Sequence, residues 1–329
     1  MRGDNDGDFW HKVAMMSDEF ADLDTDLSDH APGAWRKALD AIGDELGYCA
    51  SLGTEHAALF IDGGPRLLVT FESRDSVMKR PRALPRGFDL VRKHGWSLLA
   101  LISDGNTWFR DPAVYGFIDR LLDDGFFEDF DQVLFFGSGA AGYAATAFSV
   151  AAPGAQVLAI RPQATLDPDI TGWDRRYITE RRRDFTSRYG YGPEMIEAAG
   201  MAFLVFDPTY APDAMHTALY GRTNVTPLRC PQTGLRIEDM LDLMDLTTPL
   251  IEQAMAGSLT GPSFALLWRA RRDSPAYLRS LLKKAEVAGR TSHVIRICQH
   301  GLQTRHQSFF ARRLQEIGAQ IPKPMQAAQ

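Results

Sequence analysis

The chain has 329 residues, of which 45% are apolar, and a formal net charge of −6. That length suffices for one large α/β domain with an appendage, and the acidic balance argues against a nucleic-acid partner, which usually needs a basic surface. The three cysteines lie far apart with no paired spacing, which fits reduced thiols in the cytoplasm better than a disulfide framework or a zinc site. No secretory signal and no apolar run of membrane-spanning length is present, so we expect a cytoplasmic protein without a membrane span.

The first part of the chain is predicted to hold a tail, a helix and two strands. Residues 1–30 are acidic and poor in large aliphatic side chains, which predicts an N-terminal tail. The apolar spacing over 32–53 predicts an amphipathic helix at the edge of the main domain. Two β-rich runs, 57–62 and 67–72, are joined by Gly63-Gly64-Pro65, and we predict that they pair as a hairpin.

Five further short runs predict strands, and a predicted helix or polar segment separates each run from the next. Nearly continuous apolar strands that alternate with helices are typical of a parallel sheet buried on both faces. The runs are 98–102, 132–136, 156–160, 202–206 and 224–228. The sequence therefore predicts an α/β fold in which helices sandwich a mostly parallel sheet.

Composition divides the chain further. Residues 31–245 are predicted to form the main domain, and 165–198 a cap-like insertion over the carboxyl edge of the sheet. The arginines of this insertion either shield an anionic ligand or form a solvated face, which is the more common role of such a run. Over 246–329 we find only helical periodicity and a basic balance. We predict there a helical C-terminal appendage that contacts a protein partner.

The most informative stretch is an apolar strand that breaks into glycines and resumes as an alanine-rich helix. Gly137, Gly139 and Gly142 permit a tight turn and let the helix lie against its own strand. The helix N-terminus then opens at the carboxyl end of a parallel sheet, where binding sites are commonly built. Two families use such a turn, and they predict different chemistry.

The first family is that of dinucleotide-binding proteins. Residues 137–142 match G-x-G-x-x-G, after a strand and before a helix. This interpretation implies an oxidoreductase with NADP or FAD, in which Arg161 would meet a 2′-phosphate. Against it, several strands precede the motif, and the next strand ends without an acidic residue for the ribose. A single glycine fingerprint also has many false positives.

Four short stretches carry the second resemblance: Gly137-Ser138-Gly139-Ala140-Ala141-Gly142-Tyr143, Arg161-Pro162-Gln163, Asp167-Pro168 and Trp173-Asp174-Arg175-Arg176. They are similar to a bacterial α/β-hydrolase-like family in which an elbow of the form G-S-S-M-G-G-Y is followed by a strand ending in P-Q. The resemblance covers about residues 55–245, and we prefer it. It implies an α/β-hydrolase-like fold and no cofactor.

The resemblance also implies positions for a catalytic triad, of which two are degenerate. The hydrolase elbow G-x-S-x-G exposes a serine beside backbone N–H donors, but the nucleophile position here is Gly139. Asp207 stands where the family places its acid, and Gln232 lies in the histidine-free stretch where the base belongs. Without nucleophile and base the acyl-enzyme route is lost. We predict a pseudoenzyme with a ligand-binding or scaffolding role.

An enzyme is the alternative, either a hydrolase with a relocated nucleophile or a dinucleotide-dependent oxidoreductase. Ser138 would serve as the nucleophile only if the turn were shifted by one residue. His216 is either a base or a packing histidine, and we favour packing. Cys230 is either a displaced nucleophile or a buried structural thiol, and we favour the thiol because no basic partner is evident.

The predicted pocket retains groups that bind a small anion. Backbone N–H groups at the start of the elbow helix can bind an anion or a carbonyl oxygen. The predicted ligand-binding residues lie at the elbow and at the carboxyl ends of neighbouring strands: Gly137, Ser138, Gly139, Ala140, Asp104, Trp108, Arg110 and Gln163. No metal site is predicted.

Sequences that resemble this chain over most of its length often carry the name phosphoadenosine phosphosulfate reductase. Those reductases have a phosphate loop resembling S-G-G-K-D-S and a C-terminal cysteine in E-C-G-x-H. Neither motif occurs here, and Cys298 stands in Ile297-Cys298-Gln299-His300. The residues therefore do not support that activity.

Overall fold

The computed structural model describes residues 25–304 and 307–318, so most of the predicted N-terminal tail lies outside the described residues. Within them the chain forms one eight-stranded sheet. Its strands are β1 (Gly47–Leu52), β2 (His56–Ile61), β3 (Arg66–Ser73), β4 (Ser97–Ser103), β5 (Gln132–Ser138), β6 (Gln156–Ile160), β7 (Met201–Phe206) and β8 (Val225–Arg229). Their order across the sheet is β1-β2-β4-β3-β5-β6-β7-β8.

Strand β2 runs antiparallel to both of its neighbours, and the remaining neighbours are parallel. The predicted hairpin of β2 and β3 is wrong, because β4 lies between these two strands. The physical reason is burial. Positions Leu67 to Glu72 of β3 are buried on both faces, which suits the middle of a sheet between two parallel partners.

The predicted N-terminal helix is shorter than expected. Helix α1 spans Pro32–Leu46, and β1 takes up the rest of the stretch. Gly47 approaches β2 so closely that a Cβ there would lie 2.4 Å from the carbonyl oxygen of Phe60. Cys49, whose spacing suited the helix, therefore pairs with Leu59 in the sheet.

Helices cover both faces of the sheet, which confirms the predicted fold class. Trp35 and Leu250 pack on one face, and Val114 and Tyr143 pack on the other. The α-helices in the described chain are α1 (Pro32–Leu46), α2 (Arg74–Met78), α3 (Phe88–His94), α4 (Pro112–Asp123), α5 (Ala140–Phe148), α6 (Pro168–Thr171), α7 (Gly192–Met195), α8 (Ala211–Leu219), α9 (Ile237–Leu243), α10 (Thr247–Met255), α11 (Gly261–Leu267), α12 (Pro275–Val287), α13 (Thr291–Gly301) and α14 (Gln307–Glu316).

The C-terminal helices divide between two cores. Ile251 of α10 and Phe264 of α11 belong to the core beneath the sheet, although the sequence placed both in the appendage. A separate cluster is formed by Leu282 of α12, Cys298 of α13 and Phe310 of α14. In the described part of the chain, no helix is both long and apolar enough to cross a membrane.

Candidate ligand site at the elbow

The turn between β5 and α5 has the backbone of a nucleophile elbow with glycine at its tip. Gly139 adopts φ 59° and ψ −121°, a conformation that side chains rarely tolerate. The flanking glycines allow close packing, since a Cβ on Gly137 would lie 2.1 Å from the carbonyl oxygen of Ala141. One on Gly142 would lie 2.9 Å from that of Ile160. The three glycines are thus explained by the turn itself.

The tip position is Gly139 and not Ser138. Ser138 is the last residue of β5, and its Oγ is buried without a hydrogen-bond partner in the described chain. The turn is therefore not shifted by one residue. The hydroxyl lines the elbow but lacks the exposed position that a nucleophile requires.

The guanidinium of Arg161 lies over this turn. Arg161 follows β6 and adopts φ 50°, while its backbone N–H donates to the carbonyl oxygen of Val205 at 2.8 Å. Its Nη2 is 3.6 Å from the point where a Cβ on Gly139 would sit. Among the described residues its guanidinium forms no ion pair or hydrogen bond, and its Nε is buried. An arginine without an ion pair among the described residues thus lies beside the tip of the turn.

A cavity of about 460 Å³ opens at this point, above the carboxyl ends of β3 to β6. Three other arginines line it, and each has an acidic partner. Arg80 pairs with Glu72, Arg86 with Glu238, and Arg176 with the buried Asp174 and Asp213. Arg161 is therefore the lining arginine whose charge is available to a ligand.

Backbone donors and aromatic rings complete the cavity wall. Ala140 and Ala141 line it from the first turn of α5, where helix N–H groups have no partner within the helix. Trp108 and Phe109 line it from the loop after β4, and both adopt positive φ values, 58° and 56°. Such strained backbone is costly and often marks a functional site.

Asp207 occupies the acid position, but its carboxylate holds loops together. It is fully buried and accepts hydrogen bonds from the N–H and hydroxyl of Thr209, at 2.8 and 2.7 Å. It also accepts the N–H groups of Gln232, at 3.1 Å, and Gly234, at 2.6 Å. The Gln232 carbonyl oxygen accepts a bond from Lys284 at 2.9 Å, so this loop is bound to α12.

His216 is buried in a polar cluster outside the cavity. Its Nδ1 accepts the N–H of Ala164 at 3.1 Å, so its Nε2 carries the proton that is donated to Asp174 at 3.0 Å. Burial lowers the pKa of His216, and the nearby Asp174 opposes this only in part. For Asp174 burial opposes ionisation, but hydrogen bonds from His216 and Arg176 outweigh it and lower the pKa. Both ring nitrogens are engaged, as expected of a packing histidine.

Cys230 is fully buried at the end of β8. Burial raises the pKa of its thiol well above the ordinary value, and the charge of Asp207 adds to the effect. A thiol in this environment stays protonated and is a weak nucleophile.

The other predicted ligand residues fall into two groups. Those that line the cavity are Trp108, Ser138, Gly139 and Ala140, and those that do not are Gly137, Asp104, Arg110 and Gln163. Asp104 pairs with Arg74 at 2.5 Å in an exposed position.

The expected convergence of Arg110 on the elbow is corrected by its contacts. Its guanidinium is buried beneath the insertion, where it donates to the carbonyl oxygens of Asp184 and Arg188 at 2.7 and 2.9 Å. Gln163 is also fully buried, and its amide donates to the carbonyl oxygen of Arg161 at 3.1 Å. Both side chains therefore lie outside the cavity and donate hydrogen bonds to backbone carbonyl oxygens of neighbouring segments.

Two cavity contributions were not predicted from the sequence. Glu72 ends β3 with only 3% exposure and accepts the backbone N–H of Arg86 at 2.9 Å. His56 lies 2.7 Å from the Thr107 hydroxyl, which also accepts the N–H of Phe109 at 3.2 Å. Glu72 could have been predicted, because an acidic residue near the end of an apolar strand suggests a site at that end of the sheet. The contact between His56 and Thr107 could not, because the two residues are far apart in sequence.

The pair of His56 and Thr107 anchors the strained loop. Asp111 Oδ2 is 3.9 Å from the imidazole Nδ1, beyond hydrogen-bond distance, and Nδ1 has no partner in the described ranges. The imidazole is therefore not oriented by a carboxylate as in a catalytic triad. Groups of three or more His, Cys, Asp or Glu residues that could hold a metal are absent from the described residues.

The strand order, the elbow after the fifth strand and the acid after the seventh define an α/β-hydrolase fold. No protein-family model and no curated protein matches the chain. Among solved structures it is similar to the capsule O-acetyltransferase of Neisseria meningitidis serogroup A, with 12% identity, a TM-score of 0.42, and coverage of 62% of this chain and 94% of that one.

Two further solved structures show the same likeness. Est1E from Butyrivibrio proteoclasticus is 12% identical, with a TM-score of 0.41 over 63% of this chain and 97% of that one. A glycosylation-associated protein complex (Gap123) from Streptococcus agalactiae is 14% identical, with a TM-score of 0.42 over 62% of this chain and 45% of that one. Likenesses this remote concern the fold alone.

Proposed function

We propose that this protein is a non-catalytic anion-binding protein that uses the pocket of a hydrolase fold. The observation that carries the proposal is the position of Arg161, whose Nη2 lies 3.6 Å from where a side chain on Gly139 would begin. A guanidinium beside the tip of the elbow offers two parallel N–H donors to a carboxylate or phosphate bound there.

The surroundings favour the same ligand chemistry. The N-terminus of α5 directs backbone N–H groups towards the cavity, and the helix dipole favours negative charge there. The other lining arginines are neutralised by acids, so an anion would be held mainly by Arg161 and α5. No histidine lines the cavity in the described chain, so Ser138 has no imidazole to take its proton.

Calorimetric titration with acetate, benzoate, phosphate and sulfate tests the proposal. We expect at least one anion to bind and Arg161→Gln to weaken it by about tenfold or more. Arg161→Lys should restore part of the affinity. The matched control is Arg182→Gln, an exposed arginine of the insertion that does not line the cavity.

Three results would overturn the proposal. Anion binding that is unaffected by Arg161→Gln would show that the anion does not bind at Arg161. Labelling of native protein by a fluorophosphonate probe, mapped to Ser138, would establish a hydrolase with a relocated nucleophile. Flavin or nicotinamide absorbance in the purified protein would favour the dinucleotide interpretation instead.

A further inference from the structure

A second basic site lies at the opposite end of the molecule from β1, beside the edge strand β8. A depression of about 390 Å³ separates β8 from α11 and the turn that follows it. Four arginines line this depression, which we name the arginine groove: Arg229, Arg269, Arg271 and Arg272. None of the four forms an ion pair within residues 25–304 and 307–318.

The charge of the groove is opposite to that of the chain as a whole. The protein carries a net charge of −6. Arginines elsewhere, such as Arg86 and Arg222, form ion pairs with acidic side chains. Four arginines that line one depression without ion pairs make the local potential positive. The groove is therefore electrostatically complementary to an acidic surface.

The floor of the groove is apolar. Phe264 and Trp268 stack with their rings 6.2 Å apart and 8° from parallel, and both are 4% exposed. Arg271 is held over the Trp268 ring at 5.4 Å and donates to its carbonyl oxygen at 2.6 Å. A fixed arginine beside an aromatic floor suits a peptide better than a lone inorganic ion.

The edge strand itself decides how such a peptide would bind. The carbonyl oxygen of Asn224 and the N–H of Cys230 form hydrogen bonds with β7. The backbone N–H and C=O groups of the alternate residues Val225, Pro227 and Arg229 therefore point away from β7, towards the open edge of the sheet. Pro227 has no N–H and interrupts the outward row of donors. A partner therefore cannot extend the sheet along β8 and must be held through side chains.

We propose that the arginine groove binds an acidic segment of a partner protein, in which an apolar residue lies on the aromatic floor between flanking Asp or Glu side chains. Nucleic acid also binds arginine, but a chain with pI of about 5.8 presents an unfavourable long-range field to a polyanion. A short acidic segment meets mainly the local charge, because salt screens interactions beyond about 10 Å.

A random dodecapeptide library selected on the full chain tests this proposal. We expect enrichment of peptides that carry Asp and Glu around an aliphatic or aromatic residue. Their affinity should fall by about tenfold or more in Arg229→Ser/Arg269→Ser and with added salt. Arg66→Ser/Arg120→Ser, which removes the same charge at two exposed sites, should change it less than about twofold.

A charge-reversed variant separates lost binding from lost folding. Arg229→Glu/Arg269→Glu should bind the same peptides once their acids are replaced by lysine. The proposal is overturned if enriched peptides have no acidic excess, if they bind the double serine variant equally well, or if a single-stranded oligonucleotide binds the groove more tightly than the peptides. Because Arg161 is untouched, failure here is distinguishable from failure of the elbow site.

Discussion

The Nη2 of Arg161 lies 3.6 Å from the position that a Cβ on Gly139 would occupy. The contact places a guanidinium beside the tip of the turn between β5 and α5. It brings together two residues that are separated in the chain by α5 and β6.

The first prediction concerns Gly139→Ser, which restores the residue type of a hydrolase elbow. We expect no esterase activity with p-nitrophenyl acetate and no fluorophosphonate labelling, because no histidine lines the cavity in the described ranges. The positive φ of 59° should make the variant less stable by about 1–3 kcal/mol in urea unfolding. Labelling of the new serine would contradict the absence of a base.

The second prediction compares two truncations of Arg161. Arg161→Ala and Arg161→Gly both remove the guanidinium, so both should lose anion binding. Only glycine adopts a φ of 50° without steric strain, so the glycine variant should be more stable than the alanine variant by about 1 kcal/mol. Chemical unfolding measures the difference. Equal stabilities would mean that the backbone at this position relaxes without glycine.

The third prediction assigns Asp207 a structural role. Asp207→Ala removes a buried carboxylate and leaves the partly buried N–H groups of Gln232 and Gly234 without their acceptor, so it should cost about 3 kcal/mol. Asp167→Ala is the control, since that exposed cap accepts the N–H of Asp169 and should cost about 1 kcal/mol. A loss for Asp207→Ala no larger than that of the control would show that the two loops are held by other contacts.

The fourth prediction concerns stability in mild acid. Burial lowers the pKa of both His56 and His216 from the ordinary value of 6.5, so the unfolded chain takes up protons first as the pH falls. Stability should be fully present above that value and decline as the pH falls below it towards the folded pKa values. Urea midpoints across this interval measure the decline.

Variants identify the groups responsible for that decline. His216→Gln should flatten the dependence of the midpoint on pH, even though it also lowers the absolute stability. His293→Gln, which changes an exposed ring, should leave the dependence as in the wild type. An unchanged slope in both His216→Gln and His56→Gln would rule out these two rings as the cause.

Local patterns predicted much of the fold. Near-continuous apolar runs located β4 to β7 to within a residue or two, since a strand buried on both faces needs apolar side chains at every position. The edge strand β8 was located to within one residue, although only Leu228 in it is buried. The glycines at 137, 139 and 142 located the elbow, because only glycine permits that turn and that approach. The pairing of β2 and β3 could not be predicted in this way, because strand partners are chosen by long-range packing.

The sequence by itself determined that the tip of the turn at residue 139 carries no side chain, because that residue is glycine. Only the tertiary structure decided which group lies beside that tip. Arg161 reaches Gly139, Asp174 reaches His216, and Asp207 reaches Gly234 across separate elements of the fold. Whether a charge is available to a ligand depends on such partners, which are set by three-dimensional packing and leave no local signal in the chain.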